Sequence, residues 1–206
     1  MYRPAHFAED DPDVLVGLAR VAGFGHLVTC GGDGLDSSPI PFVISDDGRR
    51  ISGHLARPNP LWGLAPCPAM LIVGVSDAYV SPVWFPSKAR DGKVVPTWNY
   101  EVVHAHGHLV AHDDPEWIAR HVRQLTDHHE AGRAEPWSVD DAPADYIART
   151  ARGIVGVELL VDRFVGKRKL SQNRVDDDRA GAVVGLVASG DRGASAIAAA
   201  MAALED

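Results

Sequence analysis

At 206 residues, 46% hydrophobic and 23% charged, the chain has the composition of a globular protein able to bury a core without disulfide or metal staples. Its net charge of −8, from 20 basic and 28 acidic residues, has the wrong sign for a protein that coats nucleic acid with its whole surface. No apolar run approaches the roughly 18 residues of a membrane span, the start Met1-Tyr2-Arg3-Pro4 lacks an apolar leader, and Cys30 and Cys67 make no disulfide framework. Membrane, secreted-scaffold and disordered classes are therefore excluded, and a cytoplasmic setting is expected.

In chain order, Asp11-Pro12-Asp13 opens a helix with Val14, Leu15, Leu18 and Ala22 on one face. The Asp accepts from the free N–H groups of a first turn, and Pro loses nothing at the first helical position. Short runs rich in Val, Ile and Leu follow at 25–30, 38–45, 50–55, 69–75 and 78–83, divided by Gly, Asp or Pro, and these predict strands. Gly31-Gly32-Asp33-Gly34 and Asp46-Asp47-Gly48 predict hairpin turns. A long strand is expected over 98–111. A second helix opens at Asp114-Pro115-Glu116 with Ile118, Val122 and Leu125, and a shorter third follows Asp141 and Pro143 with Tyr146 and Ile147. A last strand is expected over 153–161 and an Ala-rich helix over 194–204. Seven strands with interspersed helices argue for an antiparallel barrel rather than a doubly wound sheet. No linker interrupts the chain, so one domain over 1–206 is expected, with 185–206 as its helical end.

Three segments carry candidate chemistry. Gly53-His54-Leu55-Ala56-Arg57-Pro58-Asn59-Pro60 ends a strand, with two prolines stiffening the backbone around an arginine whose fork suits a phosphate. Its alternative reading is a rigid turn with a solvated arginine. Val95-Pro96-Thr97-Trp98-Asn99-Tyr100 sets an amide between two aromatics, which suits a planar heteroaromatic ligand or simply a core strand. Gly166-Lys167-Arg168-Lys169-Leu170-Ser171-Gln172-Asn173-Arg174 is a cationic pocket for a phosphorylated small molecule, or a solvated charge run. Asp176-Asp177-Asp178 just beyond it opposes an extended nucleic-acid surface.

His104, His106 and His108 alternate and so share one face of a strand, the only local support for a metal or haem. No carboxylate at a familiar metal spacing accompanies them. Cys67, between Pro66 and Pro68, reads as packed rather than nucleophilic. No Gly-rich phosphate loop, nucleophile elbow or His-Glu zinc motif is present.

Several motifs stand in a telling order: the start Met1-Tyr2-Arg3-Pro4 through Phe7, the 53–60 segment, Ala78-Tyr79-Val80-Ser81-Pro82-Val83-Trp84-Phe85, the 95–100 segment, Ile154-Val155-Gly156-Val157-Glu158, and the 166–173 segment. In this order, over nearly the whole chain, they resemble the PaiB-type family, the FMN-binding negative transcriptional regulators. One departure is Ser37-Ser38-Pro39-Ile40-Pro41, where family members often carry a histidine; any role of that histidine is not carried over.

The resemblance implies a mainly β, α+β fold with peripheral helices: an antiparallel split β-barrel of the FMN-binding, pyridoxamine-phosphate-oxidase-like type. It also implies a homodimer with FMN near its interface. By that analogy His54, Leu55, Ala56 and Arg57 line the cofactor with Arg57 on the phosphate, and Asn59 belongs to the same segment. Backbone groups of Ser38 and Ile40 reach the ring's polar edge. Trp98 and Asn99, or Lys169, Gln172 and Asn173 from the partner subunit, close the site. No metal ligand is assigned. The function expected is regulation, through DNA or a partner protein, although no helix-turn-helix is evident. The alternatives are a flavin-dependent oxidoreductase with a nicotinamide donor, in which His54 or Tyr100 orients a substrate or donates a proton, and a haem-binding split barrel.

Overall fold

A computed structural model describes residues 1–32 and 34–204, so Asp33 of the first expected turn lies outside the described residues. Seven strands form: β1 (Ala8–Glu9), β2 (Phe24–Gly31), β3 (Gly34–Ile44), β4 (Arg50–Ala56), β5 (Cys67–Val80), β6 (Thr97–His112) and β7 (Ile154–Lys169). They lie in one sheet in the order β1-β7-β4-β3-β2-β5-β6, and β6 pairs back onto β7. The helices are α1 (Pro12–Ala22), α2 (Ser87–Asp91), α3 (Pro115–Glu130), α4 (Ala144–Ala151), α5 (Asp176–Ser189) and α6 (Ala194–Ala202). This is the antiparallel, mainly β architecture with peripheral helices that the strand pattern implied. No helix among the described residues is long and apolar enough to cross a membrane.

The chain falls into two compact units, one of Met1–Leu15, Gly74–Val103 and Val165–Asp206, the other of Val16–Val73 and His104–Phe164. In the first, Val80, Phe85 and Leu170 form a core with Ala182 and Leu186 of α5 and Ile197 and Met201 of α6. Three features of this unit differ from the expectation. The run at 69–75 and the first residues of that at 78–83 form a single strand, β5, which ends at Val80, and Pro82–Trp84 turn in a short 3-10 segment instead. The break read at Ser76-Asp77 does not occur, and Ser76 Oγ donates to Glu101 (3.0 Å). β7 continues past Val161 to Lys169 because its later charges are neutralised: Arg168 pairs with Glu101 (2.8 Å) and Glu9 (3.6 Å). The aspartates at 176–178 are the first turn of α5, where negative charge is favoured by the helix dipole, and Asp178 accepts from Ser87 N and Oγ at 2.9 and 2.6 Å.

In the second unit the pairing of β3 decides the architecture. β2 pairs along its whole length with β3, from Phe24↔Pro41 to Gly31↔Gly34. Phe42 N–H donates to Gly23 O (3.0 Å), so by antiparallel alternation Ile40 and Ser38 turn their backbone groups to β2. Pro39 and Pro41 therefore face β4, and neither has an N–H to donate. β3 and β4 pair at Ile44↔Ile51, Val43↔Ser52 and Phe42↔Gly53, and the ladder ends there. β4 goes on pairing with β7 as far as Ala56↔Ile154. Two prolines at alternate positions thus part β3 from β4 at the point where Pro41 would have to donate. Gly53 permits the last close approach, since a Cβ there would lie 2.9 Å from Ile40 Cδ1 and 3.1 Å from Pro41 O.

Candidate functional site

The Ala56-Arg57-Pro58-Asn59-Pro60 turn carries the chain away from β4 and back to β3. Asn59 N–H donates to Ala56 O (2.8 Å), and its side-chain oxygen accepts from Leu61 N (2.9 Å), starting the short 3-10 turn Pro60–Leu64. Its amide nitrogen donates to the hydroxyl of buried Ser38 (2.8 Å). One side-chain bond therefore bridges the two strands where their ladder has stopped. Ile40 and Leu55 both point into the interior and are buried, and Ile40 lies beside Leu27, Ile51 and Leu71. With its backbone paired to Gly25, Ile40 spends its groups on the core and on β2. Ala56 is exposed at the end of β4.

Arg57, expected on a phosphate, is held by protein groups. Its Nε donates to Arg152 O (2.8 Å), and its two terminal nitrogens grip Asp113 at 2.9 and 2.6 Å, one of them also donating to Ile154 O (3.2 Å). The fork ties the end of β4 to the β6–α3 junction and the start of β7. Each partner favours the other's charged form, raising the guanidinium pKa and lowering that of the carboxyl.

The outward face of β4 carries a constellation that sequence reasoning missed. His54 leaves β4 opposite Gly156 of β7, and a Cβ on Gly156 would overlap the Trp117 ring of α3, so only glycine lets that ring lie on the strand. Trp117 stacks on His112 with centroids 4.3 Å apart and on His121 at 5.1 Å. His54 Nδ1 lies 3.2 Å from His121 Nε2, so one imidazole donates and the other accepts. Burial lowers the pKa of both rings. His121, buried and facing His54, falls from 6.5 to about 4. His112 Nε2 stands 3.7 Å from Glu158, which also accepts from Ser52 (3.3 Å). The signal available in the sequence was the Trp117-to-His121 spacing, which sets both side chains on one face of a helix whose start Asp114 fixes by accepting from Glu116 N and Trp117 N.

Two cavities flank the imidazole pair. One of about 870 Å³ is lined by His54, Arg57, Ile154 and facing residues of α3 and α4. The other, of about 250 Å³, is polar and reaches His121, Trp117, Ser52 and Glu158.

The remaining expected site residues lie in the first unit, where they hold one another. Asn99 is fully buried and donates to Ser171 Oγ (3.0 Å) and Met201 Sδ (3.4 Å). Lys169 Nζ donates to Thr97 Oγ1 (2.5 Å) and to Trp98 O, and Gln172 closes on Leu170 N (2.7 Å) and Arg168 O (2.6 Å). Lys167 sits among the rings of Tyr2, Phe7 and Tyr100 at 5.3–5.9 Å. Lys167, Arg168 and Lys169 of the cationic run are thus tied into their own unit. Trp98 and Asn173 are exposed. His104 and His106 point outward with centroids 6.1 Å apart, and His108 pairs with Asp162 at 3.4 Å. Among the described residues no group of three or more His, Cys, Asp or Glu side chains is placed to hold a metal ion.

Comparison with known proteins bears directly on this architecture. A family model described as "Putative FMN-binding domain" matches residues 1–163. An uncharacterized protein of Emericella nidulans, AN0679, is 30% identical over 226 residues, covering 90% of each chain. The Protease synthase and sporulation protein PAI 2 of Bacillus subtilis is 30% identical over 182 residues, covering 86% of this chain and 85% of its own. Among solved structures, the flavocytochrome Anf3 of Azotobacter vinelandii superposes with TM-score 0.59 at 15% identity, over 87% of this chain and 78% of its own. The FAD and heme binding protein of Mycobacterium smegmatis gives 0.59 at 17% identity, over 90% and 82%. These structural likenesses establish a shared fold.

Proposed function

We propose that this chain, which belongs to the PaiB-like family of FMN-binding domains, holds FMN in the gap between β3 and β4 and works as a flavin-dependent regulatory protein. The observation that carries the site is the parting of the two strands at Pro41, bridged by Asn59 and Ser38. The residues present fit the cofactor's ring. Its polar edge needs both acceptors and donors, and the gap offers the Pro39 and Pro41 carbonyls, the Ser38 hydroxyl and the Asn59 amide. Ala56 adds a small apolar flank, and Arg57 would turn its fork from Asp113 to the phosphate. Bound FMN would supply two-electron redox chemistry and a near-ultraviolet and visible absorbance. In a homodimer, exposed Trp98 and Asn173 are the members of their group free to close the site of the other copy.

Regulation through a protein or small-molecule partner, in the cytoplasm, fits these residues better than broad DNA binding. The net charge is −8, and much of the cationic run is bound internally. Purified protein is expected to be yellow. Replacing Asn59 by Leu removes both the bridge to Ser38 and an amide donor, so FMN affinity should fall about tenfold or more in a fluorescence-quenching titration. Unchanged affinity would remove the gap as the binding site. DNA binding with a steep salt dependence would instead support a direct DNA regulator. The large cavity beside His54 favours one second reading, a flavin-dependent oxidoreductase, which anaerobic reduction of the bound flavin by NADH or NADPH would support.

A further inference from the structure

The cavity between α3, α4 and the end of β4 lies on the β7 side of β4, whereas the gap assigned to FMN lies on its β3 side. At about 870 Å³ it is within the range of small-molecule sites. We propose that it is a second site, for an organic carboxylate with an apolar body, distinct from the flavin site.

Three observations specify that chemistry. The walls are aliphatic: Ile118 and Val122 of α3 face Ile147 and Ala148 of α4, with Val139 and Ile154 between them. Such a wall takes a hydrocarbon or aryl body and offers little to a sugar or nucleoside hydroxyl. The only imidazole in the lining is His54, whose Nδ1 is fixed on His121 outside this cavity. Burial favours the uncharged form of that ring, so the inner end of the ligand meets no full charge there and at most one hydrogen bond, from or to Nε2.

The charged lining is basic overall. Arg57, Arg120, Arg123 and Arg152 stand against Asp113 and Asp140. Two of these arginines already grip a carboxylate with both terminal nitrogens: Arg57 holds Asp113 at 2.9 and 2.6 Å, and Arg123 holds Asp140 at 2.8 and 2.7 Å. Arg120 and Arg152 have no ion-pair partner among the described residues. The surplus is therefore positive, and the geometry its neighbours adopt is that of a guanidinium on a planar, two-oxygen head. An apolar body beneath a cationic rim selects an amphipathic monoanion over an amine or a neutral solute.

The probe is 11-(dansylamino)undecanoate, whose fluorescence rises on leaving water, titrated into the full chain with and without saturating FMN. The expected result is saturable binding at one site that persists with FMN bound, weakened there because Arg57, turned to the phosphate, leaves Asp113 unpaired at the rim. Ala148 and Arg152 are exposed, so Ala148→Trp, which fills the cavity, and Arg152→Glu, which reverses a rim charge, should leave the fold intact. Each is expected to weaken the probe about tenfold or more, as is replacing its carboxylate by the uncharged amide. An alkyl phosphate of the same length should compete less well than the alkyl carboxylate.

Absence of saturable binding, or binding indifferent to Ala148→Trp, would overturn the proposal. Stoichiometric displacement of the probe by FMN would also overturn it, by making this cavity the flavin's own. A chain that binds the probe but not FMN would leave the proposal standing and remove the flavin reading instead.

Discussion

Lowering the pH from above 6.5 to about 4 is expected to cost the fold on the order of 3 kcal/mol through His121 alone. In the folded chain His121 is buried against His54 and Trp117 and titrates near 4, whereas unfolding returns it to 6.5. The unfolded chain therefore binds the proton first as pH falls. The stabilisation is fully present above 6.5, declines through the window, and is gone once the folded ring is also protonated. His54 moves in the same direction, because burial lowers its pKa too. Arg50, Arg120 and Glu158 line the small cavity with His121, and their surplus of one positive charge also favours the neutral imidazole. Urea unfolding at pH 7 and pH 4.5 should show a marked loss for the parent and a much smaller loss for His121→Gln. Equal losses would mean that the imidazole pair is not held neutral.

Gly156→Ala should destabilise by about 2–3 kcal/mol, far more than a methyl group on an open strand, because the added carbon overlaps the Trp117 ring. The ring is wedged between His112 and His121 and can yield only by breaking that stack. The same substitution on a Trp117→Ala background should cost much less, a coupling that a double-mutant cycle reads directly. A Gly156→Ala variant as stable as the parent on both backgrounds would show that the ring does not rest on this strand.

The parts of the fold that were legible from sequence were those fixed by local chemistry. Asp11-Pro12 and Asp114-Pro115 mark the starts of α1 and α3, and Asp114 makes the expected capping bonds. The run at 50–55 is β4 to within a residue. Elements that depended on distant partners were harder to see. β7 looked finished at Val161 because its charged continuation is neutralised by Glu9 and Glu101. The aspartates of α5 stood out only as negative charge opposing a nucleic-acid surface, and neither their place in the first turn of a helix nor the Ser87 donors that hold Asp178 could be read from them.

The same division holds for the site. The 53–60 motif stood out by composition, but His121 lies 67 residues from His54, and Asp113 lies 56 residues from Arg57. No spacing rule reaches so far, so an arginine with a phosphate-like geometry could be assigned a ligand but not the carboxylate it holds. Pro39 and Pro41 were visible only as a departure from a family pattern. Their effect, ending one ladder while leaving the other whole, emerges from the register of β2, β3 and β4 together.

The most direct test of the account is a crystal structure of the chain with FMN bound. The account predicts the isoalloxazine between β3 and β4, its polar edge toward Pro39, Pro41 and Asn59. A flavin lying between α3 and α4, or anywhere away from that gap, would contradict it.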